Sequence, residues 1–204
     1  MAVMTGAFFL AAVIAPLFIR FLGRTGFAAL ALVPAAGLAL SLSLAPLMLT
    51  GAEVRVESYR WIPALDMSLV FRMDMLSWIF SLLVTGVGAL VFLYCARYFD
   101  ADELRLGRFA GILMAFAGMM YGLIVADEML LLFIFWEGTT IFSYLLIGQY
   151  HSRQQTRRAA LQALIVTTAG GLSMLIGLIL LGNIFGSGKL SSAVQRGFEA
   201  GYHD

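Results

Sequence analysis

Charged residues are scarce in this sequence. Asp, Glu, Lys and Arg make up 12% of its 204 residues, whereas 61% of the residues are hydrophobic. A soluble domain usually carries about twice that share of charge. The polar residues are too few to cover a surface that faces water, so we expect the chain to be surrounded by lipid.

Cysteine and histidine are almost missing. Cys95 is the only cysteine, which excludes an intramolecular disulfide and a cysteine-based metal cluster. The only histidines are His151 and His203, so a histidine-rich metal site is not expected either. We predict no metal site and no cofactor. The net charge is +1, and the sequence has no basic tract. Both observations argue against a nucleic-acid partner.

Six apolar runs are long enough to cross a membrane, for which about 20 residues suffice. They predict an all-α integral membrane fold with six transmembrane helices, in one membrane domain over residues 1–204. No Lys or Arg precedes the first run, which favours a retained span over a signal peptide. The predicted spans are 3–19, 27–49, 75–96, 109–125, 129–149 and 159–184.

The connections between these runs differ in charge. Three of them, which six spans would place on one side, are rich in arginine: 20–26, 96–108 and 149–158. The positive-inside rule predicts that this side is cytoplasmic. Both chain termini are then expected outside.

Two segments on the predicted outer side show patterns of their own. Residues 51–74 alternate weakly around Pro63, which predicts a short outer β-hairpin. The tail, 185–204, repeats an apolar residue every fourth position at Leu190, Val194 and Phe198. This spacing predicts an amphipathic C-terminal helix in the outer interface of the membrane.

Glu137 is the one acidic residue deep inside a predicted span. It follows Met129 by eight residues, which places it about 12 Å into the layer. An acid at such depth costs about 2.5–3.5 kcal/mol on insertion scales. We therefore interpret Glu137 as a proton carrier. The alternative is a protonated side chain that only holds two helices together by a hydrogen bond.

Hydroxyl groups follow Glu137 along the same helix. Thr140 and Tyr144 share its face at positions i+3 and i+7, and Ser143 lies at the edge of that face. We predict that these three side chains line a water path to the carboxyl group.

Two further residues have open alternatives. His151 is either a solvated loop histidine or a point where protons enter. Asp127 either caps the fifth span, together with Glu128, or marks a point where ions leave.

Three stretches carry a family resemblance. They are residues 71–99 ("FRMDMLSWIFSLLVTGVGALVFLYCARYF"), 126–151 ("ADEMLLLFIFWEGTTIFSYLLIGQYH") and 157–187 ("RRAALQALIVTTAGGLSMLIGLILLGNIFGS"). All three resemble the antiporter-like subunits of respiratory complex I and of Mrp-type cation/proton antiporters. Within this superfamily, "ALIVTTAGGLSML" resembles the Mrp A subunit, whereas complex I subunits have an Arg and an Asp there. Members of the family have about fourteen helices, so we expect the chain to be an N-terminal fragment, half of a split gene or a truncated product.

The resemblance implies a Na⁺/H⁺ antiporter subunit in a prokaryotic plasma membrane. Glu137 matches the family's fifth-helix glutamate of the proton pathway. The implied partners are other hydrophobic antiporter subunits, H⁺, Na⁺ or Li⁺, and the lipid bilayer. The first rival interpretation is a proton-pumping subunit of complex I or of a membrane-bound hydrogenase. The second is a scaffold or remnant that transports nothing.

Overall fold

The computed structural model describes residues 1–50, 55–62, 67–99, 106–148 and 154–201. Helices dominate this part of the chain, and a two-stranded antiparallel sheet interrupts them. This architecture confirms the predicted helical membrane class with a short hairpin and a C-terminal helix. In chain order the elements are α1 (Ala2–Leu22), a 3-10 turn (Gly23–Thr25), α2 (Gly26–Leu30), α3 (Leu32–Ser43), α4 (Ala45–Leu49), β1 (Arg55–Ile62), β2 (Met67–Met73), α5 (Met75–Tyr98), α6 (Leu106–Val125), α7 (Met129–Ile147), α8 (Gln154–Phe185) and α9 (Leu190–Gly201).

Among the described residues, five helical segments are long and apolar enough to cross a membrane. The first, Ala2–Ser43, is 42 residues long and would span about twice the hydrocarbon layer if it were straight. It reverses direction at Gly23, whose φ of 58° is a conformation that glycine adopts readily. Met4 near its start consequently lies against Gly37 near its end. One segment therefore contains the first two predicted passes.

The second predicted span, 27–49, is not one continuous helix. It breaks at Ala31 and again at Leu44, giving α2, α3 and α4. Pro34 and Pro46 each lie just after a break, and neither has an N–H to donate to the preceding turn. The apolar pattern carries no information about such breaks.

Close approach of α1 and α6 builds the centre of the bundle. Gly118 lies against Phe8, with only 2.8 Å between an added Cβ and the Phe8 Cβ. Gly111 faces the Ala12 carbonyl in the same way, at 2.9 Å. Phe8 is fully buried there. The glycines of α6 thus permit backbone contact, as expected for small residues in membrane helices.

The β-hairpin closes one end of the bundle, which we call the hairpin end. β1 and β2 pair in antiparallel register from Arg55 opposite Met73 to Ile62 opposite Met67, with an irregularity between Arg60 and Ile62. The connection between α6 and α7, Ala126–Glu128, runs beside β2: Ala126 forms a β-bridge with Phe71, and the Asp127 N–H donates to the Val70 carbonyl at 2.9 Å. The hairpin is therefore tied to the central helix pair.

Glu57 joins the hairpin to the start of α1. Its carboxylate accepts hydrogen bonds from the Met1 ammonium group at 2.8 Å and from the Ala2 N–H at 2.9 Å. Partial burial acts to raise the pKa of Glu57, but these donors and the charges of Met1 and Arg55 outweigh it and leave that pKa below the usual value.

Acidification is expected to loosen this joint. The pKa of Glu57 is lower in the folded chain than in a free Glu. At a pH above the pKa of a free Glu, the ionised carboxylate therefore stabilises the contact between β1 and the start of α1 in full. This stabilisation is lost as the pH falls through the lowered pKa of the folded state. A nitroxide on Ser58→Cys, in a background without Cys95, should become more mobile on acidification. In Glu57→Gln it should be mobile at every pH. If nitroxide mobility depended on pH in the same way with Glu57 and with Glu57→Gln, the proposed role of the Glu57 carboxylate in this contact would be wrong.

Candidate proton site on the fifth span

Glu137 lies in α7 and faces α8. A Cβ added at Gly171 of α8 would overlap Glu137 Oε1, and it would lie 3.2 Å from two ring atoms of Trp136. The carboxyl group therefore occupies a notch that only a residue without a side chain leaves open. We call this feature the Gly171 notch.

One oxygen of the carboxyl group is unsatisfied within the notch. Glu137 Oε1 is buried and has no hydrogen-bond partner among the described residues. A buried acceptor without a partner costs about 1–3 kcal/mol, and an ionised one costs more. The arrangement therefore leaves Oε1 able to accept a hydrogen bond from a water molecule or from a group outside the described residues.

Thr140 and Tyr144 continue the face of α7 that carries Glu137. Thr140 is buried, and its hydroxyl group donates to the Trp136 carbonyl at 3.3 Å. Its oxygen keeps lone pairs that can accept from water. At the far end of the same face, a Cβ at Gly148 would lie 3.9 Å from Ala160 Cβ of α8. The interface between α7 and α8 thus runs from Glu137 past Tyr144 to Gly148.

Of the other predicted site residues, Ser143 lies on α7, whereas Asp127 and His151 lie beyond its two ends in the sequence. Ser143 is half-buried at the edge of the face. Asp127 precedes Glu137 by ten residues, which is about 15 Å along a helix. His151 lies outside the described residues. On α7, Thr140 and Tyr144 follow Glu137 by about one and two helical turns.

Asp127 does not cap α7, which corrects the capping interpretation. The N-cap of α7 is Glu128, without a side-chain capping bond. The Asp127 carboxylate instead accepts from the Ser191 N–H at 2.9 Å and from the Ser191 hydroxyl group at 2.7 Å, in the first turn of α9. Sequence reasoning could not find this contact because the two residues are 64 positions apart.

Removing the Asp127 carboxylate is expected to release the start of α9. Asp127→Ala should cost about 1 kcal/mol, the usual value of a helix cap, and should raise hydrogen exchange of the first α9 amides about fivefold. Ser191→Ala is the matched control, because it loses the hydroxyl bond but keeps the N–H bond, so its effect should be smaller. Unchanged exchange in Asp127→Ala would contradict the cap.

The sequence does not reveal that Gly171 and Trp136 lie beside the Glu137 carboxyl group. A glycine in a membrane helix indicates helix packing, and a tryptophan there indicates packing or an interface position. The available signal is the Gly170–Gly171 pair in the middle of an apolar helix. It indicates close packing, but it does not say against which side chain.

Comparison with known proteins matches two family models to the chain. Residues 126–200 match the family described as "NADH:quinone oxidoreductase/Mrp antiporter, TM", and residues 61–110 match "NADH-Ubiquinone oxidoreductase (complex I), chain 5 N-terminus". The first match covers α7, with Glu137, and α8, with Gly171.

Individual relatives carry antiporter names. A probable K(+)/H(+) antiporter A/B subunit of Rhizobium meliloti is 43% identical over 67% of this chain and 14% of its own length. The putative antiporter subunit mnhA2 of Staphylococcus haemolyticus is 34% identical over 94% of this chain and 24% of its own length. The chain thus spans about a quarter or less of these relatives.

Solved structures show the same fold. A chain of the Mrp complex from Dietzia sp. DQ12-45-1b matches with a TM-score of 0.82 at 32% identity, over 94% of this chain and 20% of that one. A chain of an archaeal membrane-bound sulfane sulfur reductase matches with a TM-score of 0.77 over 94% of this chain and 29% of that one. Its identity of 17% supports the fold alone.

The helices, the hairpin and the matches together define a class, the multi-pass membrane subunits with an antiporter-like fold. The chain belongs to the family of such subunits shared by Mrp antiporters and NADH:quinone oxidoreductase, and it corresponds to the N-terminal part of the Mrp A subunit.

Proposed function

We propose that this chain is the proton-carrying part of a monovalent cation/proton antiporter subunit that exchanges Na⁺ for H⁺. Glu137 takes up and releases the proton. The observation that carries the proposal is the buried Glu137 Oε1, which has no hydrogen-bond partner among the described residues and lies against Gly171. A carboxyl group in that position can accept a proton without first breaking a bond within the described chain.

Thr140, Ser143 and Tyr144 line the water path to Glu137 in this proposal. Thr140 is buried one helical turn from both Trp136 and Glu137, beside the notch. Its hydroxyl oxygen and that of Tyr144 supply acceptors along the interface between α7 and α8. Protons would therefore reach Glu137 from the end of α7 that carries Gly148. An exit through Asp127 would first require its carboxylate to leave Ser191.

The names of the relatives support the proposed partners, and the charge of the connections supports the proposed orientation. The relatives are named as subunits, so other membrane antiporter subunits are the proposed partners. We place the arginine-rich connections in the cytoplasm and both termini outside, in a prokaryotic plasma membrane. None of the predicted spans carries a Lys or Arg near its centre. A cation that works against Glu137 would therefore come from another segment or another protein of the complex.

The test uses everted vesicles that carry the chain with its partner subunits. A jump in Na⁺ concentration should move protons if the chain serves an antiporter.

A second candidate function is favoured by the oxidoreductase descriptions of both family matches. In this alternative, the chain is part of a subunit whose proton movement is driven by electron transfer. Proton movement that follows NADH or ferredoxin and ignores Na⁺ would select this second function.

A further inference from the structure

The indole ring of Trp136 borders the Gly171 notch together with the Glu137 carboxyl group. A Cβ at position 171 would lie 3.2 Å from Trp136 Nε1, and the same Cβ would overlap Glu137 Oε1. Neighbouring residues of a helix do not face each other. The two side chains share this space because α8 places a glycine there, which has no side chain to separate them. An N–H donor and a carboxyl oxygen therefore approach the same point.

The indole N–H group of Trp136 has no acceptor among the described residues. The Trp136 carbonyl accepts from the hydroxyl groups of Thr139 and Thr140, at 2.7 and 3.3 Å, but Nε1 donates to no described atom. Trp136 follows Met129, the first residue of α7, by seven residues, which is about 10 Å into the hydrocarbon layer. Water is scarce at that depth, and a Trp N–H group away from water usually has a hydrogen-bond partner. The Glu137 carboxyl group is the acceptor that the notch offers.

The two groups are chemically complementary. An indole N–H can donate a hydrogen bond but cannot accept one, and Glu137 Oε1 can accept and has no partner among the described residues. Hydrogen bonds to an ionised acceptor are shorter and about twice as strong as those between neutral groups. A donor at this position therefore favours the ionised carboxylate over the protonated form. The two atoms do not bond each other in this structure, so the contact needs a turn of the Glu137 side chain or one bridging water molecule.

Other titratable groups on the helices that meet at this level are distant or face elsewhere. On α6, α7 and α8 the titratable residues besides Glu137 are Arg108, Tyr121, Tyr144, Arg157 and Arg158. The three arginines lie near the starts of α6 and α8, about 15 Å or more along these helices from the level of the notch. Tyr121 packs against Phe8 of α1, and Tyr144 lies two turns along α7. Trp136 is thus the polar neighbour that the notch brings to Glu137.

We propose that Trp136 is a positioning residue for the proton carrier: its indole N–H donates to the ionised Glu137, directly or through one water molecule, and sets the pH at which Glu137 releases its proton. This inference rests on the proposed function, in which Glu137 carries the proton. Uptake of a proton weakens the contact, because a neutral carboxyl oxygen is the poorer acceptor. Release of the proton restores it. Gly171 permits the contact because it leaves the space between the two side chains empty.

The test removes the N–H group and keeps the shape of the ring. In the assembled membrane complex, Trp136 is replaced by benzothienylalanine, in which sulfur takes the place of the indole N–H. The measurement is the infrared C=O band of protonated Glu137 against pH, identified by its loss in Glu137→Gln. Without the donor, the midpoint of this titration should move upward by about one pH unit or more, which is the usual worth of a hydrogen bond to a charged group. Trp136→Phe should move it in the same direction. The same replacement at Trp61, exposed on β1, is the matched control and should leave the midpoint unchanged.

The infrared band reports protonation without transport, so this inference and the proposed function can fail separately. An unchanged or lowered midpoint in the benzothienylalanine protein would overturn the role of Trp136, even if Glu137→Gln abolishes proton movement. Normal Na⁺-driven proton movement in Glu137→Gln would overturn the proposed function, whether or not the band shifts. If no titrating band is lost in Glu137→Gln over the pH range in which the complex stays assembled, both are wrong. Assembly of every variant is checked by size-exclusion chromatography.

Discussion

Replacing Glu137 with glutamine is expected to abolish Na⁺-driven proton movement. Glutamine has nearly the same shape, so it fits the Gly171 notch, but it cannot bind and release a proton near neutral pH. A positioned proton-transfer group typically contributes about 10²–10⁴-fold to a rate, so a loss of at least about 100-fold is expected. The measurement is the initial rate of proton uptake in everted vesicles after a jump in Na⁺ concentration.

Two controls separate transport from folding. Glu103→Gln removes a carboxylate from the connection between the third and fourth predicted spans and should leave the rate unchanged. Glu137→Asp keeps the carboxyl group and should retain part of the activity. A scaffold role predicts that Glu137→Gln changes only assembly. Equal rates for wild type and Glu137→Gln, at equal amounts of assembled complex, would refute the carrier role.

A single methyl group at position 171 is expected to disable the site without touching Glu137 itself. The added Cβ overlaps Glu137 Oε1, so the carboxyl group must move away from the notch. A displacement of about 1 Å in a reacting group can cost about 100-fold in rate, so Gly171→Ala should lower proton uptake by about 10- to 100-fold.

The neighbouring glycine provides a matched control for this substitution. A Cβ at Gly170 meets no atom within 4 Å, so Gly170→Ala adds the same methyl group in open space. Both substitutions favour the helix by about 1 kcal/mol, because alanine is the better helix former. The contrast in transport therefore isolates the contact with Glu137. Equal rates in Gly170→Ala and Gly171→Ala would contradict the importance of the notch.

The sequence predicted those parts of the molecule that depend on local composition. Length and hydropathy predict the membrane helices, because each span must satisfy its own backbone and carry its own apolar surface. Alternation and Pro63 predict the hairpin. Glu137 is conspicuous because an acid in hydrocarbon is costly wherever its neighbours lie.

The rest depends on contacts between distant segments. The periodicity of α7 says that Glu137 and Tyr144 share a face, but it cannot say that α8 covers this face or that Gly171 lies opposite the carboxyl group. In the same way, an acid just before a helix indicates a cap for that helix. Asp127 caps α9 instead, because the tail returns to the connection between α6 and α7. No local pattern contains that return.

The short connection Ala126–Glu128 has a consequence for biosynthesis. It pairs with Phe71 of the hairpin on one side, and Glu128 forms a β-bridge with Lys189 on the other. The ribosome makes these three pieces in that order, and more than a hundred residues separate the first from the last. At about 5–20 residues per second, the open edge of the hairpin waits several seconds for its first partner and longer for the tail. The hairpin end of the bundle can therefore form all of these contacts only after Lys189 has been synthesised.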